Sequence, residues 1–260
     1  MPLSNKTIIV TGLASGIGKK SAELIKSQGA RVIGIDINEP DNTFDGFIKA
    51  DLSNPAEIDR VITQIEPGID GLCNIAGLPP TRGAVAVVTV NFMSLRALTE
   101  GLIDKMSDGA AIVNLSSLAG HGWREAVDPV KALIALHDFR KVEEFCTEHG
   151  IDDARSYFFS KEAINIWTMT NRWTWRDRGI RMNSICPGPV ETPILKDFLD
   201  TLGERAAEDM AIMDRPGTPD DIAPVVAFLC SDASRWIRGV PLPCDGGMQS
   251  HIFDEMHHLS

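Results

Sequence analysis

Short apolar runs alternate with longer amphipathic stretches along most of the chain. Thr7-Ile8-Ile9-Val10 is an apolar run flanked by turn residues, the pattern of a strand buried on both faces. Residues 16–28 then carry helical spacing, with Ile17, Ala22, Leu24 and Ile25 on the apolar positions. RVIGI at 31–35 predicts a second strand, and further strands are expected at 46–50, 71–75, 111–115, 180–185 and 239–242. Helices fit 55–65, 90–106, 157–178 and 219–231 between them. Strands that alternate with helices imply βαβ crossovers and a parallel sheet covered on both faces. With no repeat, low-complexity tract or Pro/Gly/Ser linker, residues 1–260 read as one α/β, doubly wound domain.

Two segments exceed a minimal unit of this kind. Residues 119–155 hold extra helical material, predicted as an insertion before the helix that starts near Tyr157. Residues 187–216 form a Pro-bounded stretch, expected to be a lid over a ligand site, since long loops at the carboxyl edge of a parallel sheet usually cover or shape one.

The composition narrows the function classes. Against 25 Lys+Arg stand 36 Asp+Glu, a net charge of −11, so there is no excess positive charge for nucleic acid or an anionic bilayer. No apolar run in the sequence suggests a spanning helix, and the N-terminus lacks the long hydrophobic stretch of a secretory signal. Cys73, Cys146, Cys186, Cys230 and Cys244 are scattered without a C-x-x-C pair and read as reduced thiols, which makes the cytoplasm the expected compartment. No spaced His/Cys/carboxylate cluster is present, so no catalytic metal is expected. Ser117 has no evident Ser-His-Asp partners, which leaves hydrolysis unsupported.

Between the first strand and first helix, TGLASGIG places Gly12, Gly16 and Gly18. Gly12 permits a tight turn, Gly16 lets the backbone approach a pyrophosphate, and Gly18 lets the helix pack closely. The helix N-terminus adds free N–H groups and a positive dipole end. A Gly-rich turn alone is weak, since glycine is also how any chain reverses direction; its place between a strand and a helix strengthens it. Asp36 follows the second strand, 18 residues after Gly18. A carboxylate there accepts from both ribose hydroxyls and repels a 2′-phosphate, which points to NAD rather than NADP; a solvated loop acid is the plainer alternative.

Tyr157 and Lys161 are spaced i, i+4 and share one helix face. An ammonium beside a phenol favours the phenolate, so Lys161 is expected to lower the Tyr157 pKa and make it a proton relay. Tyr157 is the only tyrosine in the chain. NIAG at 74–77, Asn91 and Ser116-Ser117 sit where the sheet would gather its carboxyl edge.

Together these residues resemble the short-chain dehydrogenase/reductase family over nearly the whole chain, and the resemblance implies a Rossmann-like fold. Thr11 through Gly18 match T-G-x-x-x-G-x-G, Asp51-Leu52 the adenine contact, and Asn74 to Gly77 the N-x-A-G element. Asn91, Ser117, Tyr157 and Lys161 match the catalytic set, Pro187-Gly188 the P-G motif, and Thr192 the nicotinamide carboxamide contact. The resemblance also implies cofactor contacts from Ser15, Ile17, Ala76 and Val190. It assigns proton exchange with the substrate oxygen to Tyr157, a hydrogen bond to that oxygen to Ser117, the nicotinamide ribose to Lys161 and a water chain to Asn91. Ser116 is the competing hydroxyl, expected to face away from its neighbour.

The spacing from Ser117 to Tyr157 is 40 residues, far beyond the family's usual spacer. A similar insertion marks a bacterial subgroup that includes coniferyl alcohol dehydrogenases and 3α-hydroxysteroid dehydrogenase/carbonyl reductases. GLCNIAG, CPGPVETPIL with DFLDTLGER, and SRWIRG look closer to the former. The expected activity is NAD-dependent interconversion of an alcohol, coniferyl-type and aromatic, with its aldehyde. The alternatives are the hydroxysteroid/carbonyl reductase and, from another class, a non-catalytic NAD-binding sensor. The insertion lies where many relatives pack long helices against a partner, so a homodimer is expected over a tetramer.

Trp123 is placed to line an aromatic substrate site, while Trp167, Trp173 and Trp175 are placed on the Tyr157 helix as packing residues. Met210 and Met213 either face substrate or simply pack the lid. His121 has no catalytic partner, and His251, His257 and His258 read as a solvated tail.

Overall fold

In the computed structural model, which describes residues 3–195, 197 and 211–259, the predicted alternation becomes a seven-stranded parallel sheet. The first half runs β1 (Thr7–Thr11), α1 (Gly16–Ser27), β2 (Arg31–Asp36), β3 (Gly46–Lys49), α2 (Pro55–Gln64) and β4 (Ile69–Asn74). A long helix follows, built as α3 (Ala84–Val88), wider π-helical turns over Thr89–Ser94, and α4 (Leu95–Leu102). Then come β5 (Met106–Leu115), α5 (Val127–Ala135), α6 (Val142–Glu148), α7 (Asp153–Thr170), β6 (Arg181–Pro187), α8 (Pro219–Cys230), β7 (Pro241–Cys244) and α9 (Met248–His257).

The strand order is β3-β2-β1-β4-β5-β6-β7. The chain works outward from β1 to β3, then crosses back to lay β4 on the other side of β1. That reversal opens a crevice at the carboxyl ends of β1 and β4, where ligands of such sheets bind. Thr7 pairs with Arg31, Val10 with Cys73, Asn74 with Asn114 and Leu115 with Ile185, so strand ends are in step along this edge.

Period-two alternation divides the core between two layers. Ile9, Ile35, Leu72, Ile112 and Met182 face one, with α2, α4 and α7. Ile8, Val10, Val32, Cys73, Val113 and Ile185 face the other, with α1 and α8. This is why the strands are apolar at consecutive positions.

The insertion lies against α4 and α7. Arg96 of α4 is 2% exposed, and its guanidinium donates to the carbonyls of Leu133 (3.3 Å), Ile134 (2.7 Å) and Leu136 (2.6 Å). Those carbonyls lie at the carboxyl end of α5, where Leu133 O also accepts from the C-cap Leu136 N at 3.1 Å. Burial lowers the Arg96 pKa from its ordinary value. Covered by the sheet on one side and the insertion on the other, α7 is buried on nearly every face from Ser156 to Thr168.

Several element boundaries differ from the sequence expectation. Helix α7 starts at Asp153, where the Asp152 carboxylate accepts from Arg155 N at 2.8 Å, so the expected insertion overlaps its first turn. It stops at Thr170, and the Asn171 side chain bonds back to Trp167 O at 2.8 Å. Trp173 and Trp175 therefore lie off the helix, contrary to expectation. The helix expected at 90–106 begins six residues earlier, at Ala84. Its 22 residues, Ala84–Lys105, are apolar and long enough to cross a membrane, but 67% of the most apolar window is buried inside this fold. β5 begins at Met106, and β7 is shifted to Pro241–Cys244, with two prolines that an edge strand tolerates. The expected C-terminal tail is helix α9 as far as His257. Of the lid stretch 187–216, residues 196 and 198–210, Met210 among them, lie outside the described residues.

Candidate active site

The crevice begins with backbone. Gly12 has φ +72°, and a Cβ there would lie 2.9 Å from Ala76 N and Cα. A Cβ on Gly18 would lie 2.0 Å from Gly12 O, so α1 packs against the turn where only hydrogen fits. Ser15 is the N-cap residue of α1, yet its side chain caps nothing and the first turn holds no acid, which leaves the N-terminal amides of that turn for another acceptor. Ser15 is exposed and Ile17 is buried beneath the turn. Across from α1, Thr192 Cγ2 would come within 3.3 Å of a Cβ on Gly16. Thr192 Oγ1 donates to Val190 O at 3.3 Å, and Val190 is bridged to Gly217. Pro187 ends β6, and Gly188 lies so close to Asp245 that a Cβ would be 3.1 Å from Asp245 Cα.

At the end of β2, Asp36 accepts from Ala14 N and Asn38 N, each at 2.9 Å. Asp51 is exposed and accepts from Ser53 N at 2.8 Å, while Leu52 packs on the core and its carbonyl accepts from the Ser94 hydroxyl. The uncapped helix, the glycines without room for a side chain and the carboxylate beyond β2 fit a dinucleotide. Asn74 is placed differently from its neighbours. It is 2% exposed, and its amide donates to Thr99 Oγ1 and Asn114 Oδ1, both at 2.9 Å, so it braces β4 against β5 and α4.

The side chains expected to carry chemistry gather beside this cradle. The Ser117 hydroxyl is hydrogen-bonded to the Tyr157 phenol and accepts from Ala119 N at 3.1 Å. Lys161 is 4% exposed; its Nζ donates to Leu115 O at 2.8 Å and lies over the Tyr157 ring, 5.3 Å from the centroid. Asn91 sits in the π-helical turns, fully buried, with Oδ1 accepting from Leu78 N at 2.7 Å and Nδ2 donating to Leu78 O at 3.1 Å. A Cβ on Gly77 would stand 3.3 Å from Asn91 Oδ1 and 3.8 Å from Lys161 Nζ, so the Ala76–Leu78 turn runs between these two residues.

Burial pushes the Tyr157 phenol up from its ordinary 10.0 to about 12, and the Ser117 hydrogen bond opposes it only in part. Burial pushes Lys161 down from 10.5 to about 8. The expected lowering of the Tyr157 pKa is thus not the net outcome in the protein alone, where burial raises it. The Lys161 ammonium donates to Leu115 O, and desolvation dominates the Tyr157 shift.

Further side chains brace the site, among them Thr11 and Asn165, to which the sequence alone gives no role, and Ser116, expected to face away from Ser117. Thr11 Oγ1 accepts from Ile75 N (2.9 Å) and Ala76 N (3.0 Å), tying the β4 exit to the end of β1. Ser116 Oγ donates to Lys161 O at 2.9 Å, so it faces away from Ser117 and pins the serine loop to α7. Asn165 donates to Gly120 O at 3.0 Å, and a Cβ on Gly120 would lie 2.8 Å from Lys161 O. Asn165 is i+4 from Lys161, a spacing the sequence did offer.

Trp123 packs against the core with Arg124 over its ring at 4.6 Å. Trp167 is buried edge-on to Phe92 at 6.2 Å, whereas Trp173 is 59% exposed. Met213 Cε lies 2.9 Å from where a Gly246 Cβ would be, which seats the exit of the lid stretch on the turn before α9. Among the described residues, no three His, Cys, Asp or Glu side chains are grouped as metal ligands.

Residues 6–127 match the family described as short chain dehydrogenase, and residues 142–249 the one described as enoyl-(acyl carrier protein) reductase. The gap between them falls inside the insertion. The chain is 42% identical to a coniferyl-alcohol dehydrogenase from a Pseudomonas species, over 96% of this chain and 99% of that one. It is 31% identical to a 3-alpha-hydroxysteroid dehydrogenase/carbonyl reductase from Comamonas testosteroni, over 94% and 96% of the two chains. Among solved structures, the 3-alpha-hydroxysteroid dehydrogenase of Pseudomonas sp. B-0831, complexed with NADH, superposes with a TM-score of 0.84 at 30% identity, covering 98% of this chain and all of that one.

Proposed function

This chain belongs to the short-chain dehydrogenase/reductase family, and on that premise we propose that it is an NAD-dependent dehydrogenase interconverting a coniferyl-type aromatic alcohol and its aldehyde. The observation that carries the reading is the convergence of Ser117, Tyr157 and Lys161 beside an uncapped, glycine-lined helix N-terminus. Binding alone would not require that set, and the comparisons lend no support to a non-catalytic sensor.

A nicotinamide dinucleotide supplies or accepts the hydride when bound. The chain orients and moves the proton. Gly12, Ser15, Gly16, Ile17 and Gly18 hold the pyrophosphate at the start of α1, with Thr192 opposite them. Asp36 receives the adenosine ribose, and its negative charge selects NAD over the 2′-phosphorylated form. Asp51 and Leu52 border the adenine; Ala76, Gly77, Pro187, Gly188 and Val190 wall the nicotinamide side. Asn74 borders the same wall through its backbone, while its side chain braces it from behind.

Ser117 Oγ and Tyr157 Oη share the substrate oxygen. With its pKa at about 12, Tyr157 rests as the neutral phenol, ready to donate a proton to a carbonyl oxygen. Oxidation needs the phenolate, which positive charge at Lys161 favours; that charge is held below a pH of about 8. Asn91 keeps the Leu78 carbonyl in place at the inner end of the site.

A 3α-hydroxysteroid substrate is the second reading, favoured by the backbone match to the steroid enzyme. The higher identity to the coniferyl-alcohol enzyme, 42% against 31%, supports the first. A cytoplasmic homodimer is part of the proposal: Arg96 anchors the insertion over α4, which closes that face to a partner. Sedimentation is expected to give a dimer, and a stable tetramer would contradict it.

The test is initial-rate absorbance of NADH and NADPH formation with coniferyl alcohol and a 3α-hydroxysteroid. Fast NAD reduction with the aromatic alcohol is expected. Turnover of the steroid alone moves the chain to the second reading, and a preference for NADP removes the role given to Asp36.

A further inference from the structure

Ser160 lies between Tyr157 and Lys161 on α7, fully buried, and belongs to none of the roles above. Its hydroxyl donates to the carbonyl of Tyr157 at 2.7 Å. With its one proton spent there, Ser160 Oγ can only accept from anything else. What it accepts is the Asn91 amide, Nδ2 to Oγ at 3.1 Å. Asn91 thereby has its oxygen on Leu78 N and its nitrogen on both Leu78 O and Ser160 Oγ.

The polarity of this chain decides the orientation of the amide. Turned over, Asn91 would present an oxygen to a hydroxyl that has no proton left, and both Leu78 bonds would be mismatched. Leu78 N–H and C=O set the amide orientation, and the Ser160 oxygen, accepting the second amide proton, reinforces it. Because the turn at Gly77 runs between Asn91 and Lys161, that grip also sets where the turn stands relative to the ammonium.

We propose that Ser160 is a positioning residue of the active site: by accepting the Asn91 amide proton it locks Leu78, and through it the turn that faces Lys161 and the cofactor. The inference rests on the proposed roles of Asn91 and Lys161, but its first readout does not. Replacing Ser160 by Ala leaves a buried amide proton without an acceptor, so Asn91 is held by its Leu78 bonds alone and its grip on the turn loosens.

The experiment compares wild type, Ser160→Ala and Ser160→Thr by amide hydrogen exchange at Leu78 in the protein without added nucleotide. NADH affinity by fluorescence and the pH profile of kcat follow. In Ser160→Ala, Leu78 exchange is expected to quicken about tenfold or more while the amides at the middle of α7 stay protected. NADH binding should weaken, kcat should fall by about tenfold, and the alkaline limb of its pH profile should move. Ser160→Thr, which keeps the hydroxyl, should restore each of these. Ser160→Cys fills the same space with a poorer acceptor and should show the same pattern at smaller size, should the alanine variant not fold. Unchanged Leu78 exchange would overturn the proposal. So would faster exchange spread evenly over α7, or altered exchange with unaltered NADH binding and pH profile. If wild type turns over neither alcohol, the proposed function fails while the exchange result still stands or falls alone.

Discussion

The nucleotide edge and the catalytic face adjoin, yet they are held by opposite means. Around Gly12, Gly16 and Gly18 the geometry depends on what is missing: a Cβ would collide with backbone at Gly12 and Gly18 and crowd Thr192 at Gly16, and no cap competes for the helix amides. Around Tyr157 it depends on buried polar side chains, among them Asn91, Ser116, Ser160, Lys161 and Asn165, each hydrogen-bonded to backbone or to another side chain. The first region is damaged by adding atoms. The second is damaged by removing them, and it carries the cost of keeping an ammonium out of water.

Gly18→Ala should break the first region most severely. Its Cβ would meet Gly12 O at 2.0 Å, a backbone atom that cannot swing aside, so a loss of about 3 kcal/mol or more and of NADH binding is expected. Denaturant unfolding and fluorescence titration measure both. A stable variant that still binds would show that the turn is looser than described.

Lys161→Met should sharpen the contrast by going the other way. Because burial lowers the Lys161 pKa from 10.5 to about 8, the unfolded chain binds more protons than the folded one between those values. Wild-type stability therefore rises with pH across that window, and below it the protein carries the full desolvation cost. Methionine removes the charge, so stability at pH 7 should increase by about 2 kcal/mol while activity is lost, and the rise from pH 8 to 10.5 should flatten. Tyr157 acts with the opposite sign and in another window: raised from 10.0 to about 12, it makes stability fall with pH between those values in both proteins. A variant less stable than wild type at pH 7 would mean that the Lys161–Leu115 bond outweighs desolvation.

The sheet and the phosphate turn were legible because both are local. A doubly buried strand needs consecutive apolar residues, and a glycine turn must follow it directly. Helix limits were not. Ala84–Val88 is rich in β-branched residues that favour strands, and the polar start of α7 at Asp153 gives no apolar signal. The bracing role of the Asn74 side chain was not legible, because its partners Thr99 and Asn114 are 25 and 40 residues away. The Tyr157–Lys161 spacing could not show how deeply both groups are buried, and that burial sets the net direction of both shifts. Ser160 lies between Tyr157 and Lys161 in the sequence, and only its contact with Asn91 gives it a task.

The central claim is that the chain moves a substrate proton through Tyr157 Oη. The most direct measurement is the rate of NADH formation from coniferyl alcohol and NAD by wild type and Tyr157→Phe, with the unfolding midpoint and NADH affinity of each measured alongside. The account predicts a fall in kcat of about a thousandfold with both controls nearly unchanged. Turnover by the phenylalanine variant within about tenfold of wild type would contradict it, because such a small loss is below what removing a general acid–base group causes.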